Sequence, residues 1–423
     1  MFQLNIIRSV NSLSQKPLPK QPEINLGTLG HVDNGKSTLV QALSGVWTAR
    51  HSEEMRRGIT IRVGYADTAF YKCTKCGTYG TMEICSSCGS PAEFVRAVSI
   101  VDCPGHHSLM VTMLAGAALM DGALLVLSAT EKCPQPQDRE HLSAAEIVGI
   151  NKLVIVQNKI DVVSRERVIE NFREIEAFVK GTVAENAPLI PISAQRSINV
   201  DALIEAIEKT IPTPKRELGK PPLMSIVRSF DVNRPGTLAE EITGGVIGGS
   251  IFQGVFKVGD EVEISPGIRV EKGGKTYYEP LHTEVTSLHV GGKNVEEATC
   301  GGLVGVGTLL DPSLTKADSL VGNIVGKSKN LPPVFETLSL DVELFERAIG
   351  TEELTKVERI KTNEALVLNA GTAVTSGIVT SVRNNVVDIS LRRPICVETT
   401  GRISISRRLG DSWRLIGFGI VKG

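Results

Sequence analysis

The residues best placed for chemistry begin at Gly30-His31-Val32-Asp33-Asn34-Gly35-Lys36-Ser37, which fits the pattern G-x-x-x-x-G-K-[ST]. Its glycines let the backbone wrap around phosphates with the N–H groups pointing inward. Lys36 offers a cation to the β- and γ-phosphates, and the Ser37 hydroxyl can ligate Mg²⁺. Asp102-Cys103-Pro104-Gly105 supplies a D-x-x-G segment: Asp102 can reach Mg²⁺ through water, and the Gly105 N–H can sense a γ-phosphate. Asn158-Lys159-Ile160-Asp161 places a carboxylate where it can accept from N1–H and the exocyclic amine of guanine. Adenine offers no such pair, so Asp161 would stand unpaired against it, and that cost discriminates. Ser193-Ala194-Gln195 can present a backbone N–H to the guanine oxygen. Each segment alone is a weak signal; together and in this order they predict a guanine nucleotide site. Its candidate contacts are Asp33, Asn34, Gly35, Lys36, Ser37, Thr38, Gly105, Asn158, Lys159, Asp161, Ser193, Ala194 and Gln195. Thr60, between the first two segments, is the candidate for completing the Mg²⁺ shell when a γ-phosphate is present.

These segments need strands that end where they begin. The apolar runs 24–29, 97–102, 122–129, 152–157 and 188–192 read as strands, and each but one leads into a segment named above. Helical patterns at 36–44, 107–118, 138–148, 166–179 and 201–211 alternate with them, which predicts a doubly wound, mostly parallel sheet. Pro212, Pro214, Pro221 and Pro222 mark a linker. Beyond it, short Val/Ile runs broken by Gly244-Gly245, Gly248-Gly249 and Gly301-Gly302 predict compact β-barrels, with a further break near Pro332-Pro333. The expected organisation is a flexible tail over 1–22, an α/β P-loop GTP-binding domain over 23–218, and two β-barrel domains over 219–330 and 331–423.

A second cluster has metal-ligand spacing. Cys73-x-x-Cys76 and Cys85-x-x-Cys88 each present two thiolates, with Gly77 and Gly89 behind them for the turns. Two such hairpins make a closed Cys₄ zinc site over 73–88, structural because no coordination position is left open. Free reduced thiols are the plainer alternative. Without a secretory signal ahead of them, the eight cysteines do not suggest a disulfide framework.

Net charge is −1 and hydrophobic content 41%, as expected of an ordinary globular chain and not of a generic nucleic-acid binder. No run approaches the ~18 apolar residues of a membrane span, and a cytoplasmic location is expected. From Leu391 onward, Arg392, Arg393, Arg402, Arg407, Arg408, Arg414 and Lys422 face only Glu398 and Asp411. That excess reads either as a solvated strand face or as a surface for RNA.

Gly30–Thr38, Arg57–Ile61 and Asp102–His106 resemble the segments of translational GTPases such as elongation factor Tu. That resemblance implies that His106 orients the attacking water, with Val32 and Ile59 as an apolar gate, and that Asp33 and Gly58 join Ser37, Thr60 and Asp102 around Mg²⁺. His107 stands beside His106, and Arg56 or Arg57 could serve as an arginine finger, though a solvated pair is the simpler reading. Turnover without a partner should then be slow, ~10⁻⁴–10⁻³ s⁻¹. The cysteine insert, the stretch Arg228–Thr237, Gly244–Gly254 and Asp311–Asp318 resemble the gamma subunit of archaeal and eukaryotic translation initiation factor 2. Asn34 departs from the His usual there. Membership would imply a heterotrimer with alpha and beta subunits that carries methionyl initiator tRNA to the small ribosomal subunit in the GTP state, with activating and exchange factors as further partners. Two other readings compete: an elongation factor of the selenocysteine type, and a scaffold that binds GTP without hydrolysing it.

Overall fold

The computed structural model describes residues 17–48, 60, 62–106, 109–346, 356–410 and 412–422. The first sheet contains β1 (Ile24–Leu29), β2 (Gly64–Cys73), β3 (Tyr79–Gly80), β4 (Ala92–Asp102), β5 (Gly122–Ser128), β6 (Leu153–Asn158) and β7 (Leu189–Pro191). Their order is β3-β2-β4-β1-β5-β6-β7. β1, β5 and β6 are buried along their whole length, because helices cover both faces of a parallel sheet. The pairs among β4, β1, β5, β6 and β7 are parallel, whereas β2 runs antiparallel to β4 and to β3.

Two apolar cores lie on the two faces. Helices α1 (Lys36–Ser44) and α5 (Val200–Thr210) pack Leu39, Val40, Leu43, Leu203, Ile204 and Ile207 into one of them. Helices α2 (Met110–Ala117), α3 (Pro136–Val148) and α4 (Arg165–Val179) pack Met113, Leu142 and Ile175 into the other. A capping box between Gln135 and Asp138, with Pro136 in the first turn, starts α3. The sheet thus bears out the doubly wound expectation and adds an antiparallel edge that the sequence reading did not contain.

Strands β8 (Leu223–Phe230), β9 (Val246–Gln253), β11 (Glu261–Lys272), β12 (Lys275–Val290), β13 (Lys293–Val295), β15 (Val304–Thr308) and β16 (Ile324–Gly326) build the first barrel, and β10 (Phe256–Lys257) pairs with β14 (Glu297–Ala298) in a separate two-stranded sheet. The order β11-β16-β8-β9-β15-β12 closes through a β11–β12 pairing. The second barrel is closed in the order β17-β20-β19-β18-β21-β22, from β17 (Val334–Leu344), β18 (Ala365–Ala370), β19 (Ala373–Arg383), β20 (Val386–Cys396), β21 (Arg402–Leu409) and β22 (Ser412–Val421). Each barrel has its own apolar core.

The segments between these bodies are held by specific bonds. Leu415 enters the core beneath α2–α4, with Phe345 and Phe418 packed against it, so the second barrel seats on that face. Residues 17–22, expected as loose tail, lie against the first barrel instead. The Gln21 amide donates to Thr299 O (2.6 Å) and Gly301 O (2.8 Å) and accepts from Thr299 N (3.1 Å), while Leu18 N donates to Gly291 O. Gly301 and Gly302 admit this strap, since a Cβ at Gly301 would stand 2.7 Å from Glu23 O and one at Gly302 2.9 Å from Pro22. No helix among the described residues is long and apolar enough to cross a membrane.

Candidate functional site

All four nucleotide segments sit at the carboxyl ends of parallel strands, the crevice where open α/β sheets hold ligands. β1 runs into the loop 30–35, which delivers Lys36 and Ser37 to the first turn of α1. Lys36 is 4% exposed, and its Nζ donates to Gly30 O and His31 O at 2.8 Å each. Burial pulls its pKa down, against the opposing fields of Asp102 and Asp138. Gly105 packs straight onto this loop: a Cβ there would lie 2.3 Å from Lys36 Nζ and 2.7 Å from Val32 N. Gly35 holds φ +85°, and a Cβ would stand 2.5 Å from Asn158 Nδ2. At both positions only glycine allows so close an approach, and that approach sets the shape of the loop that would wrap a phosphate group.

Asp102 is fully buried and fixed through both oxygens. Thr28 Oγ1 donates to Oδ1 (2.9 Å), and Ser37 Oγ (2.7 Å) and Thr48 Oγ1 donate to Oδ2. Ser37 Oγ and Thr60 Oγ1 are 3.0 Å apart. Two hydroxyls and a carboxylate gathered at one point are the hard-oxygen donor set that suits Mg²⁺, and the residues present therefore fit the ion. Thr28 and Thr48 were not singled out from sequence, because a lone threonine beside a strand carries no pattern. Gly58 and Ile59, with Arg56, Arg57 and His107, lie outside the described residues. His106 follows Gly105, is half-buried, and accepts Leu109 N–H at its carbonyl.

On the base side, Asn158 works as a staple. Its Nδ2 donates to Asn34 O (2.9 Å) and its Oδ1 accepts from Ala194 N (3.0 Å), so the phosphate loop and the 193–195 segment share one side chain. Lys159 adopts φ 63°, an uncommon conformation for a side-chain-bearing residue, which opens the turn carrying Asp161. Arg196 Nε lies 3.9 Å from Asp161 Oδ2. Ser193 is buried and its Oγ accepts Arg196 N–H, whereas Gln195 is exposed.

Asn34 is a candidate nucleotide contact through its backbone. Its side chain is buried, with Nδ2 donating to Val126 O (2.8 Å) and Asp138 Oδ1 (3.0 Å), so only its backbone serves the loop. Asp33 is exposed and Thr38 half-buried. The basic closing segment also changes character. Arg407 forms an ion pair with Glu364 and donates to Glu358 O, Arg414 reaches Glu140, Lys422 reaches Asp341, and Arg402 lies over the Phe418 ring. Much of the apparent charge excess is thus spent inside the protein, while Arg392 and Arg408 remain exposed.

The four cysteines meet. Their sulfurs all lie within 4.8 Å of one another, with Cys73–Cys88 at 3.5 Å, Cys76–Cys85 at 3.6 Å and Cys76–Cys88 at 3.6 Å. Tetrahedral Zn–S bonds of ~2.3 Å place sulfurs about 3.8 Å apart. The two hairpins share one backbone pattern: Gly77 N donates to Cys73 O as Gly89 N does to Cys85 O, both glycines at positive φ. Donor type, spacing and geometry fit a Cys₄ zinc site.

A mostly parallel sheet with this loop, this carboxylate and this base-side staple, followed by two β-barrels, defines a GTPase of the translational class. Residues 21–213 match the elongation factor Tu GTP binding domain and residues 244–326 match elongation factor Tu domain 2. Residues 336–421 match the initiation factor eIF2 gamma C-terminal model. The chain is 58% identical over 416 residues to translation initiation factor 2 subunit gamma of Archaeoglobus fulgidus, covering 98% of this chain and 97% of that one. It is 56% identical to the Pyrococcus horikoshii subunit (97% and 100% covered) and 54% identical to that of Methanocaldococcus jannaschii (97% and 100%). The chain belongs to the translation initiation factor 2 subunit gamma family. Among solved structures, a bacterial selenocysteine-specific elongation factor superposes with a TM-score of 0.71 at 22% identity, over 94% of this chain. The chain spans 58% of the length of that structure. The Methanococcus maripaludis factor SelB, in complex with a GTP analogue, gives 0.70 at 21% identity, over 96% of this chain and 80% of that one. At such identity the likeness speaks for the fold alone.

Proposed function

We propose that this chain carries methionyl initiator tRNA to the small ribosomal subunit in its GTP state and releases it when GTP is hydrolysed. The observation that supports the reading, in a member of the initiation factor 2 gamma family, is that Ser37 Oγ lies within hydrogen-bond reach of both Thr60 Oγ1 (3.0 Å) and Asp102 Oδ2 (2.7 Å). Ser37 and Thr60 would hold Mg²⁺ directly, with Asp102 behind them and Asp33 and Gly58 in support. When bound, that ion neutralises charge developing on the phosphate oxygens. Lys36 and the loop N–H groups would grip the phosphates, while Asp161, Asn158, Lys159 and the 193–195 backbone select guanine. His106 would orient the attacking water, and Thr60 would let go once the γ-phosphate leaves. The cysteine cluster would hold structural zinc. Alpha and beta subunits, an activating factor and an exchange factor complete the set of partners, in the cytoplasm.

The test is the affinity of the purified protein, assembled with its sister subunits, for methionyl initiator tRNA under a GTP analogue and under GDP. Tighter binding with the analogue, and preference for initiator over elongator methionyl-tRNA, is the expected result. Indifference to nucleotide or to tRNA would turn the reading toward an elongation factor of the selenocysteine type. Absent hydrolysis in a single turnover with small subunits and partner factors would leave a GTP-bound scaffold.

A further inference from the structure

Helix α3 joins two places that the nucleotide chemistry does not by itself connect. At its N-terminal end, Asp138 Oδ1 accepts from His31 N (2.9 Å) and from Asn34 Nδ2 (3.0 Å), while its Oδ2 accepts Gln135 N (2.9 Å). One turn on, His141 Nδ1 accepts the Gly30 N–H at 2.8 Å. The two N–H groups that open the phosphate loop are therefore both consumed by this helix. Asp138 and His141 are each 2% exposed, so water cannot stand in for them. The acceptor at Nδ1 also requires a neutral ring with its proton on Nε2, and burial together with the Lys36 charge pushes the His141 pKa well down.

The same helix is held by the second barrel. Glu140, whose side chain is wholly buried, receives Arg414 Nη1 from β22 at 3.0 Å, and its other oxygen has no partner among the described residues. At the C-terminal turn, Arg402 Nη1 of β21 reaches Ile147 O (3.5 Å), where a cation also suits the helix dipole. A buried pair that hangs on one hydrogen bond is sensitive to small displacements of either side.

We propose that Asp138 and His141 are positioning residues for the phosphate loop, and that the Glu140–Arg414 pair makes their grip on the loop depend on how the second barrel is seated. Whatever partner or state shifts that barrel would then alter the rate at which guanine nucleotide leaves. The inference rests on the reading that residues 30–37 hold the phosphates.

The test is the dissociation rate of a fluorescent GDP from the full chain with Mg²⁺, at a temperature where each variant keeps the parent's circular dichroism. Asp138→Asn and His141→Leu should each release GDP about tenfold faster or more, from the loss of buried bonds to the loop. His141→Asn, which returns an acceptor oxygen near the Nδ1 position, should recover most of that loss, as a purely structural role would not require. Glu140→Gln and Arg414→Met should each speed release several-fold, and the double variant no more than the larger single, because they remove one interaction. Should either variant at the pair fail to fold, the other alone decides. Parent-like rates in Asp138→Asn and His141→Leu would overturn the positioning role. Parent-like rates in Glu140→Gln and Arg414→Met, beside fast release in Asp138→Asn, would overturn the link to the barrel. A parent chain that does not retain GDP would sink the phosphate reading first and this inference with it.

Discussion

His106, proposed to orient the attacking water, stands next to a glycine whose Cβ would collide with Lys36, so it and the phosphate loop are set by one close backbone approach. His106→Ala is expected to lower partner-stimulated hydrolysis by about 10²-fold or more, with GTP affinity held within about threefold; rapid-quench turnover beside equilibrium binding separates the two. Asp161→Asn should cost about 10²-fold in GTP affinity and narrow the gap to ATP, because the base then meets a mismatched donor. A third residue sets a pH dependence. Asp67 on β2 faces Ser99 on β4, and burial pushes its pKa up to about 6 from the usual 3.8. Since the folded value exceeds the unfolded one, the folded state binds the extra proton, and stability falls as pH rises from about 4 to 6 and stays lowered above it. Asp67→Asn should remove that slope and gain on the order of 1–3 kcal/mol at pH 8, with little gain at pH 4, in denaturant titrations. The motif residues were legible because phosphate and guanine chemistry demand particular side chains at particular spacings. Thr28, Thr48, Asp138 and His141 were not, since they act only through contacts between segments far apart in the chain.

At the scale of elements, the buried parallel strands declared themselves as unbroken apolar runs, and Ile24–Leu29 is the same six residues in both readings. β2 escaped notice because Gly64–Cys73 mixes Asp, Thr and Lys among its apolar residues, as an antiparallel strand near the sheet edge can. β4 begins at Ala92, earlier than the apolar run at 97, because its first half pairs with β2 beside the cysteine hairpins. The barrels were visible as a class from their glycine pairs, though their strand order was not, since closure depends on distant pairings such as β17 with β22. The cysteine element should come apart by itself. A metal chelator, or Cys85→Ser, is expected to raise amide exchange across 73–91 while leaving GDP binding within about threefold, because the phosphate loop lies at the other end of β4 from that hairpin.

For the molecule as a whole, named contacts hold the three bodies together. Asp318, at φ 61°, accepts Arg228 Nε and Ser229 N at 3.0 Å each and lies 3.4 Å from Arg62, two residues after Thr60. It is therefore a place where the segment after Thr60 meets the first barrel. Asp318→Ala should destabilise the chain by about 1–3 kcal/mol in denaturant titration, chiefly through the Ser229 N–H left without its partner. Arg407→Ala belongs to the same scale. With its guanidinium engaged by Glu364 and Glu358, it should weaken the second barrel's melting and leave tRNA affinity at defined salt unchanged, whereas Arg408, exposed, is the residue to probe for RNA. The strap formed by residues 17–22 carries a consequence of a different sort. Gln21 bonds a carbonyl 280 positions further along the chain. During synthesis at roughly 5–20 residues per second, that segment leaves the ribosome on the order of tens of seconds before its docking site exists. Residues 17–22 are thus made early and docked late, and until the first barrel exists proteases and chaperones can reach them.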